Sequence, residues 1–296
     1  MSFTHLHELI RIADEKQMSI ADLMLEVEIE QSLHTEKEIL ERMNRQFSVM
    51  EEAARKGVET PVYSRTGLTG GDAHRVGEYL KKGCSFLAPQ TLQAMSFALS
   101  VNEVNAGMGR IVATPTAGSA GILPGVFISL LDSGRFSRDE LVRALFTAAA
   151  LGLVIANSAS ISGAAGGCQA EIGSATAMTA GALVELGGGT PEQVGHAVGL
   201  ALKNSLGLVC DPVGGLVEIP CIIRNGLHAV TAIAAADMAL AGVKSVIPAD
   251  EVIQAMYMIG NALPESLRET GLGGLAATPT GRALRERVFG KPQGME

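Results

Sequence analysis

Three of the chain's four cysteines fall where a turn-rich segment meets a helix-forming one. Cys168 lies in SISGAAGGCQAEIG, where a glycine-rich run gives way to a helix start, and Cys210 and Cys221 flank the loop CDPVGGLVEIPC. At such junctions backbone N–H groups lack intrahelical partners, and a helix N-terminus favours an anionic sulfur. Spacing limits what these sulfurs can do. A structural zinc site would show a close C-x2–4-C pair, and dithiol redox work would use C-x-x-C; neither is present. Three thiolates without an evident fourth suit a four-iron cluster with one iron left open to a ligand. Free cysteine is also among the most buried residue types, so spacing alone equally describes three packed core residues, and more simply. Cys84, beside two lysines in KKGCSFLAPQ, reads as a partly exposed or packing cysteine and not as a ligand.

Other chemistries find little support. No phosphate-binding Walker loop and no G-x-S-x-G nucleophile turn occurs, and GLGGLA at 271 has no strand before it to make a dinucleotide site. The six histidines show neither HExxH nor another metal spacing. Lys203, in LALKNSLG, is the one lysine deep in the apolar region and the only foothold for a pyridoxal phosphate (PLP) Schiff base. Two polar sequences echo one another: TGLTGG at 66 with TGLGGL at 270, and ATPTAG at 113 with ATPTG at 277. Recurrent helix-end turns account for this, as do two hydroxyl-rich loops converging on one site.

The elements that must position these residues read as helices throughout. Hydrophobic residues make up 47% of the chain but aromatic ones only 4%, and there are 35 glycines. Small residues of this kind let helix backbones approach closely. Apolar residues recur at three- and four-residue intervals in IADLMLEVEIEQS and TEKEILERMNRQFSVMEEAARKG, and no hairpin signal appears. Ser137 with Glu140, and Thr190 with Pro191 and Gln193, spell helix starts. The expectation is an all-α protein: a helical N-terminal segment over 1–60 and a helical catalytic domain over 61–296, packed as one unit. A net charge of −8 without Lys/Arg clusters excludes a nucleic-acid partner. The apolar part of ALFTAAALGLVIANSASISGAAGG falls short of the roughly 20 residues that span a bilayer, and no signal sequence opens the chain, so a cytoplasmic location is expected.

Five blocks, TGLTGGDA, ATPTAGSAGILPG, SISGAAGGCQAEIGSATAM, CDPVGGLVEIPCIIRN and RETGLGGLAATPTGR, run in order from about residue 60 to 285. Together they resemble the α chain of the bacterial iron–sulfur-dependent L-serine dehydratases. The resemblance implies an all-helical catalytic domain with a 4Fe-4S cluster held at loop–helix junctions by Cys168, Cys210 and Cys221, no PLP, and conversion of L-serine to pyruvate and ammonia with the open iron as Lewis acid. A related hydro-lyase acting on another hydroxy acid, or a non-enzymatic iron–sulfur redox sensor, are the alternatives. Thr114, Thr116 and Ser119 become candidate donors to the substrate carboxylate, with Gly118 and Gly121 allowing close backbone approach. Arg224 becomes a partner for a carboxylate or for cluster charge, and Asp211 a cap for the turn before Pro212. No residue is assignable as the base that takes the α-proton. A serine- and histidine-rich loop found in an additional domain of single-chain relatives is not found here, which points to a separate β chain. The terminal VFGKPQGME offers no cysteine of the kind that closes the open iron in some relatives.

Overall fold

Ser137 opens a helix as its spacing to Glu140 predicts. In the computed structural model, which describes residues 3–290, the Glu140 amide donates to Ser137 Oγ at 3.3 Å while Glu140 Oε2 accepts from the Ser137 amide at 2.7 Å. Thr190 and Gln193 make the same reciprocal pair, and Thr35 with Glu38 adds a third. The terminal residues 291–296, and with them most of the tail sequence noted above, lie outside the described residues.

Among the described residues thirteen α-helices follow one another: α1 (Leu6–Lys16), α2 (Ile20–Ser32), α3 (Glu36–Glu59), α4 (Asp72–Lys81), α5 (Pro89–Ala106), α6 (Ile122–Asp132), α7 (Arg138–Ser158), α8 (Gly163–Gly166), α9 (Ser174–Leu186), α10 (Pro191–Lys203), α11 (Cys221–Leu240), α12 (Ala249–Ala262) and α13 (Pro279–Phe289). A π-helical turn, Gln169–Gly173, leads into α9. Among the described residues there is no strand, only two isolated bridges, so the fold is all-α. Two helices form where proline and glycine read as turn. In α6 the proline occupies the first turn, where no intrahelical N–H is needed. In α13 Pro279 sits at the first position behind a Thr278 cap. Helix α11 begins at Cys221, so CIIRN is helical rather than a lead-in to the helix.

Helix α5 packs against α3, α4, α6 and α11, and α9 packs against α7, α10 and α11, so α5, α9 and α11 form the centre. Small residues set the distances. A Cβ added at Gly125 of α6 would lie 2.7 Å from the Ala94 carbonyl oxygen of α5, and one at Gly181 of α9 would lie 2.3 Å from Leu151 of α7. Such close approach, backbone on backbone at Gly125 and side chain on backbone at Gly181, is what a chain rich in glycine and alanine and poor in aromatics is built for. Leu9, Ile20, Phe47 and Met50 of the first sixty residues belong to the same apolar cluster as Phe127, Leu151 and Val198, so 1–60 shares its core with the rest.

Helix α7 runs through to Ser158, further than its apolar sequence suggested, because Ala156–Ser158 continue it. By length and composition it would cross a membrane, with a mean hydropathy of 1.7 over its best window, yet 67% of that window is buried inside the fold. It packs against α2, α3 and α9, which supply the apolar surroundings its side chains require.

Glu103 on α5 is the anomaly of the core. Its Oε1 accepts from the Asp72 amide at 2.6 Å, closing the N-terminus of α4, while Oε2 is buried with no partner. Burial pushes the carboxyl up to about 7, against the two amide hydrogen bonds it accepts. The native state therefore keeps a proton that the unfolded chain has already released, and the associated stability is lost as pH rises through about 7. Glu103→Gln retains the Oε1 acceptor and cannot ionise. Urea unfolding is expected to show the parent losing about 1–2 kcal/mol relative to this variant between about pH 5 and pH 8.

Candidate active site at three buried cysteines

The π-helical turn is held from three sides by one side chain. Gln169 is fully buried; its Nε2 donates to the Gly166 and Met256 carbonyls, each at 2.9 Å, and its Oε1 accepts from the Gly207 amide at 2.9 Å. Cys168, immediately before it, is thereby fixed against α12 and against the segment leading to Cys210. The Cys210 amide donates to the Leu267 carbonyl at 2.9 Å, and its carbonyl accepts from the Glu269 amide at 2.7 Å. Cys221 is the first residue of α11. All three sulfur-bearing residues are buried, whereas Cys84 is exposed.

Both echoing polar loops touch the segment between Cys210 and Cys221. Glu218 accepts from Thr66 Oγ1 at 3.0 Å and from Thr69 Oγ1 at 2.9 Å. From the other side, Gly271 approaches so closely that a Cβ there would lie 2.8 Å from the Gly215 amide nitrogen. Gly271 has a φ of +66°, a left-handed conformation shared with Gly67 at +68° and Gly214 at +66°. Arg287 donates to the Gly67 carbonyl at 2.9 Å and ties the first loop to α13, the helix that follows the second. The X-Pro bonds Thr114–Pro115 and Ile219–Pro220 are cis.

A carboxylate that the sequence reading passed over stands at the centre. Glu171, in the π-helical turn, accepts a short hydrogen bond from Thr116 Oγ1 and is buried. Its carboxylate occupies space left by two glycines: a Cβ at Gly118 would lie 2.8 Å from Glu171 Oε1, and one at Gly163 would meet Cys210 Sγ at 3.0 Å, Glu171 Oε2 at 3.1 Å and Glu269 Oε2 at 3.3 Å. Ligand atoms of Cys168, Glu171 and Cys210 all lie within 4.8 Å of one another. The glycine-rich flank of Cys168 was the signal for this crowding, but nothing in QAEIG alone separates Glu171 from a surface glutamate.

The other candidates fall around this group. Thr114 is buried with no partner for its hydroxyl, and Ser119, also buried, donates to the Thr114 carbonyl at 3.0 Å and lies 3.1 Å from Thr116 Oγ1. The Gly118 carbonyl accepts from two asparagine side chains, Asn102 at 3.1 Å and Asn225 at 2.7 Å. Arg224 pairs with Asp211 at 3.0 Å and donates to the Val209 carbonyl at 2.8 Å, while Asp211 Oδ2 also accepts from the Leu275 amide at 2.8 Å. Asp211 is thus more than a turn cap; it ties Arg224 to the segment before α13.

Electrostatically the pocket carries more negative potential than its own cation offsets. A hydrogen bond from the Cys210 thiol favours the Cys168 thiolate and brings it below the ordinary range, against the cost of burial and with help from Arg224. Cys210, as the donor of that bond, is pushed well up, and burial does the same to Cys221. Burial also raises Glu171, opposed by the Thr116 hydroxyl and reinforced by Glu269. Burial works against the Arg224 charge, but Cys168 and Asp211 outweigh it and hold the guanidinium more firmly protonated. Soft sulfur donors crowded together in a dry, electron-rich pocket fit a thiophilic, positively charged centre such as zinc or an iron–sulfur cluster.

Fold and site together define an all-helical protein built around the buried group Cys168, Glu171 and Cys210, with Cys221 at the start of α11 and a hydroxyl-rich loop adjoining. The chain belongs to the family described as serine dehydratase alpha chain, whose model matches residues 15–276. It is 56% identical over 288 residues to the probable L-serine dehydratase, alpha chain, of Bacillus subtilis, covering 97% of this chain and 96% of that one. Identity to the L-serine dehydratase, alpha chain, of Peptoniphilus asaccharolyticus is 45%, over 94% of this chain and 95% of that one. The L-serine dehydratase TdcG of Escherichia coli is 37% identical over 91% of this chain, which spans 60% of that longer protein.

The Arg224–Asp211 pair gives a direct test of the charge balance. Its side chains are only 14% and 5% exposed, so removing one partner strands the other in a dry setting. Arg224→Met is expected to cost about 3 kcal/mol in urea unfolding.

Proposed function

We propose that this chain is the α subunit of an L-serine dehydratase, removing water from L-serine to give pyruvate and ammonia in the cytoplasm. The observation that carries the reading is the convergence of Cys168, Cys210, Glu171 and Thr116 in one buried pocket, with Cys221 opening the adjacent helix. The names of the full-length relatives support the substrate, and their designation as alpha chains supports a separate β chain that completes or regulates the site.

Cys168, Cys210 and Cys221 would hold a 4Fe-4S cluster, which when bound supplies an open iron as Lewis acid for the serine carboxylate and hydroxyl. The chain's own groups divide the remaining work. The Thr114 hydroxyl, buried and without a protein partner, is free to donate to the substrate carboxylate. Thr116 donates to Glu171 Oε1 and so orients Oε2 as the acceptor of the α-proton. Ser119 braces the loop from within, Gly118 and Gly163 leave the space a side chain would fill, and Arg224 offsets the thiolate charge. The α-proton and the hydroxide leave as the two halves of elimination. The resulting enamine tautomerises to an imine, and water hydrolyses that to pyruvate and ammonia. A carboxyl raised by burial is suited to this duty, since a proton acceptor works best with a pKa near the working pH.

The test is anaerobic purification of the α chain with its β chain, quantification of iron and acid-labile sulfide, and assay of L-serine against L-threonine. Cys210→Ser is expected to lose at least about tenfold in bound iron, with activity falling in step. Glu171→Gln is expected to retain iron while kcat falls by about 100-fold or more. Iron-free wild-type protein that still deaminates serine would end the cluster reading, and an unchanged kcat in Glu171→Gln would remove Glu171 from the role of base.

A further inference from the structure

One fully buried side chain joins the hydroxyl-rich loop to the third cysteine. Asn225 lies one turn after Cys221 on α11. Its Nδ2 donates to the Cys221 carbonyl at 2.9 Å and to the Gly118 carbonyl at 2.7 Å, and its Oδ1 accepts from the Gly121 amide at 3.0 Å. Every hydrogen-bonding direction of this amide but one lone pair is therefore used, and all its partners are backbone groups of two functional segments. Gly118 and Gly121 bracket Ser119, and Thr116, two residues before Gly118, carries the hydroxyl that holds Glu171. Asn102 of α5 donates to the same Gly118 carbonyl at 3.1 Å from the other side.

We propose that Asn225 is a positioning residue that sets the register of the Thr114–Gly121 loop against the Cys221 end of α11. It would thereby fix how the loop's hydroxyls and Glu171 meet a substrate held at the cysteines. This rests on the reading of the pocket as a serine dehydratase site. The physical case is one of geometry. Loop carbonyls and amides facing a buried helix must be satisfied, and here a single rigid planar amide satisfies one of each, so the loop has one seating on α11. Few other side chains reproduce the arrangement. Aspartate cannot donate, glutamine places its amide one methylene further out, and alanine leaves the Gly121 amide without its acceptor and the Gly118 carbonyl with Asn102 alone. The two glycines reinforce the fit, since a Cβ at Gly121 would lie 2.2 Å from the Ala98 carbonyl oxygen and one at Gly118 would strike Glu171. The loop cannot shift toward α5 to compensate for a lost bond to α11.

Asn225→Ala in the iron-loaded αβ complex is expected to raise the KM for L-serine by about tenfold or more and to lower kcat per iron-loaded site by about tenfold, because the displaced loop carries both the carboxylate donor and the hydroxyl that orients Glu171. Combined with Thr116→Val, its effect on KM should largely disappear, because both substitutions act through the same loop. Hydrogen exchange at the Gly121 amide should accelerate in metal-free Asn225→Ala. A purely structural asparagine would give another pattern: fewer iron-loaded sites, with KM and kcat per loaded site unchanged and additivity with Thr116→Val. That pattern overturns the proposal. If Asn225→Ala does not fold, Asn225→Ser, whose hydroxyl can bond within its own helix but does not reach the loop, takes its place; a KM unchanged there, or additive with Thr116→Val, also overturns it. A wild-type complex that carries iron but leaves L-serine untouched would count against the proposed function alone, and exchange at Gly121 would still decide whether Asn225 seats the loop.

Discussion

The structure turns on an imbalance of charge in a dry place. Three sulfurs and the carboxylates of Glu171 and Glu269 crowd a pocket in which Arg224, itself shared with Asp211, is the chief compensating cation. Leaving such groups ionised and unpaired in a low-dielectric interior is costly. Protons answer part of that cost in the polypeptide alone, which is why the Cys210 and Cys221 thiols and the Glu171 carboxyl are all driven upward. A positively charged centre would answer the rest, and its binding would displace the thiol protons. The same imbalance that makes the pocket awkward for the bare chain makes it receptive.

Holding that arrangement requires helices that do not yield. Close approach of α6 to α5, and of α9 to α7, is possible because glycine stands at the crossings, and a tightly packed interior transmits rather than absorbs displacement. The central helices can therefore present functional residues from their ends. Cys221 opens α11, the π-helical turn carries Glu171 into α9, and Asn225 reaches from α11 into the loop that precedes α6. Wide turns of this kind recur at functional sites, since the extra residue re-aims a side chain without ending the helix.

Much of this was legible in the chain itself. Capping pairs such as Ser137–Glu140 and Thr190–Gln193 are local signals, complete within four residues, and they fix helix starts whatever the surroundings. The all-helical class followed from apolar periodicity and from the absence of hairpin signals. Helices α6 and α13 were hidden because proline in a first turn looks the same in sequence as proline in a loop. The cysteines stood out by residue type, and the family resemblance joined them into one centre. Glu171, Asn225 and Glu103 did not stand out, because their significance lies in partners far along the chain: Thr116, Gly118 and the amide of Asp72. The convergence of the two echoing loops was only one of two readings of their composition. Glu218, which receives Thr66 and Thr69, and Gly271, packed on Gly215, bring both onto the cysteine loop.

That convergence bears on the order in which the molecule matures. The loop from Cys210 to Cys221 leans on hydroxyls from residues 66 and 69 and on backbone from residues 267 and 269, so its partners are separated by about two thirds of the chain. Bringing such distant pieces together is slow compared with winding the helices between them. During synthesis, the sulfur-bearing pocket is therefore among the last features to acquire its walls, after the Leu267–Glu269 segment has emerged. Any ligand of these thiols must therefore await completion of the polypeptide, since an unfinished chain presents the sulfurs without the cavity that would organise them.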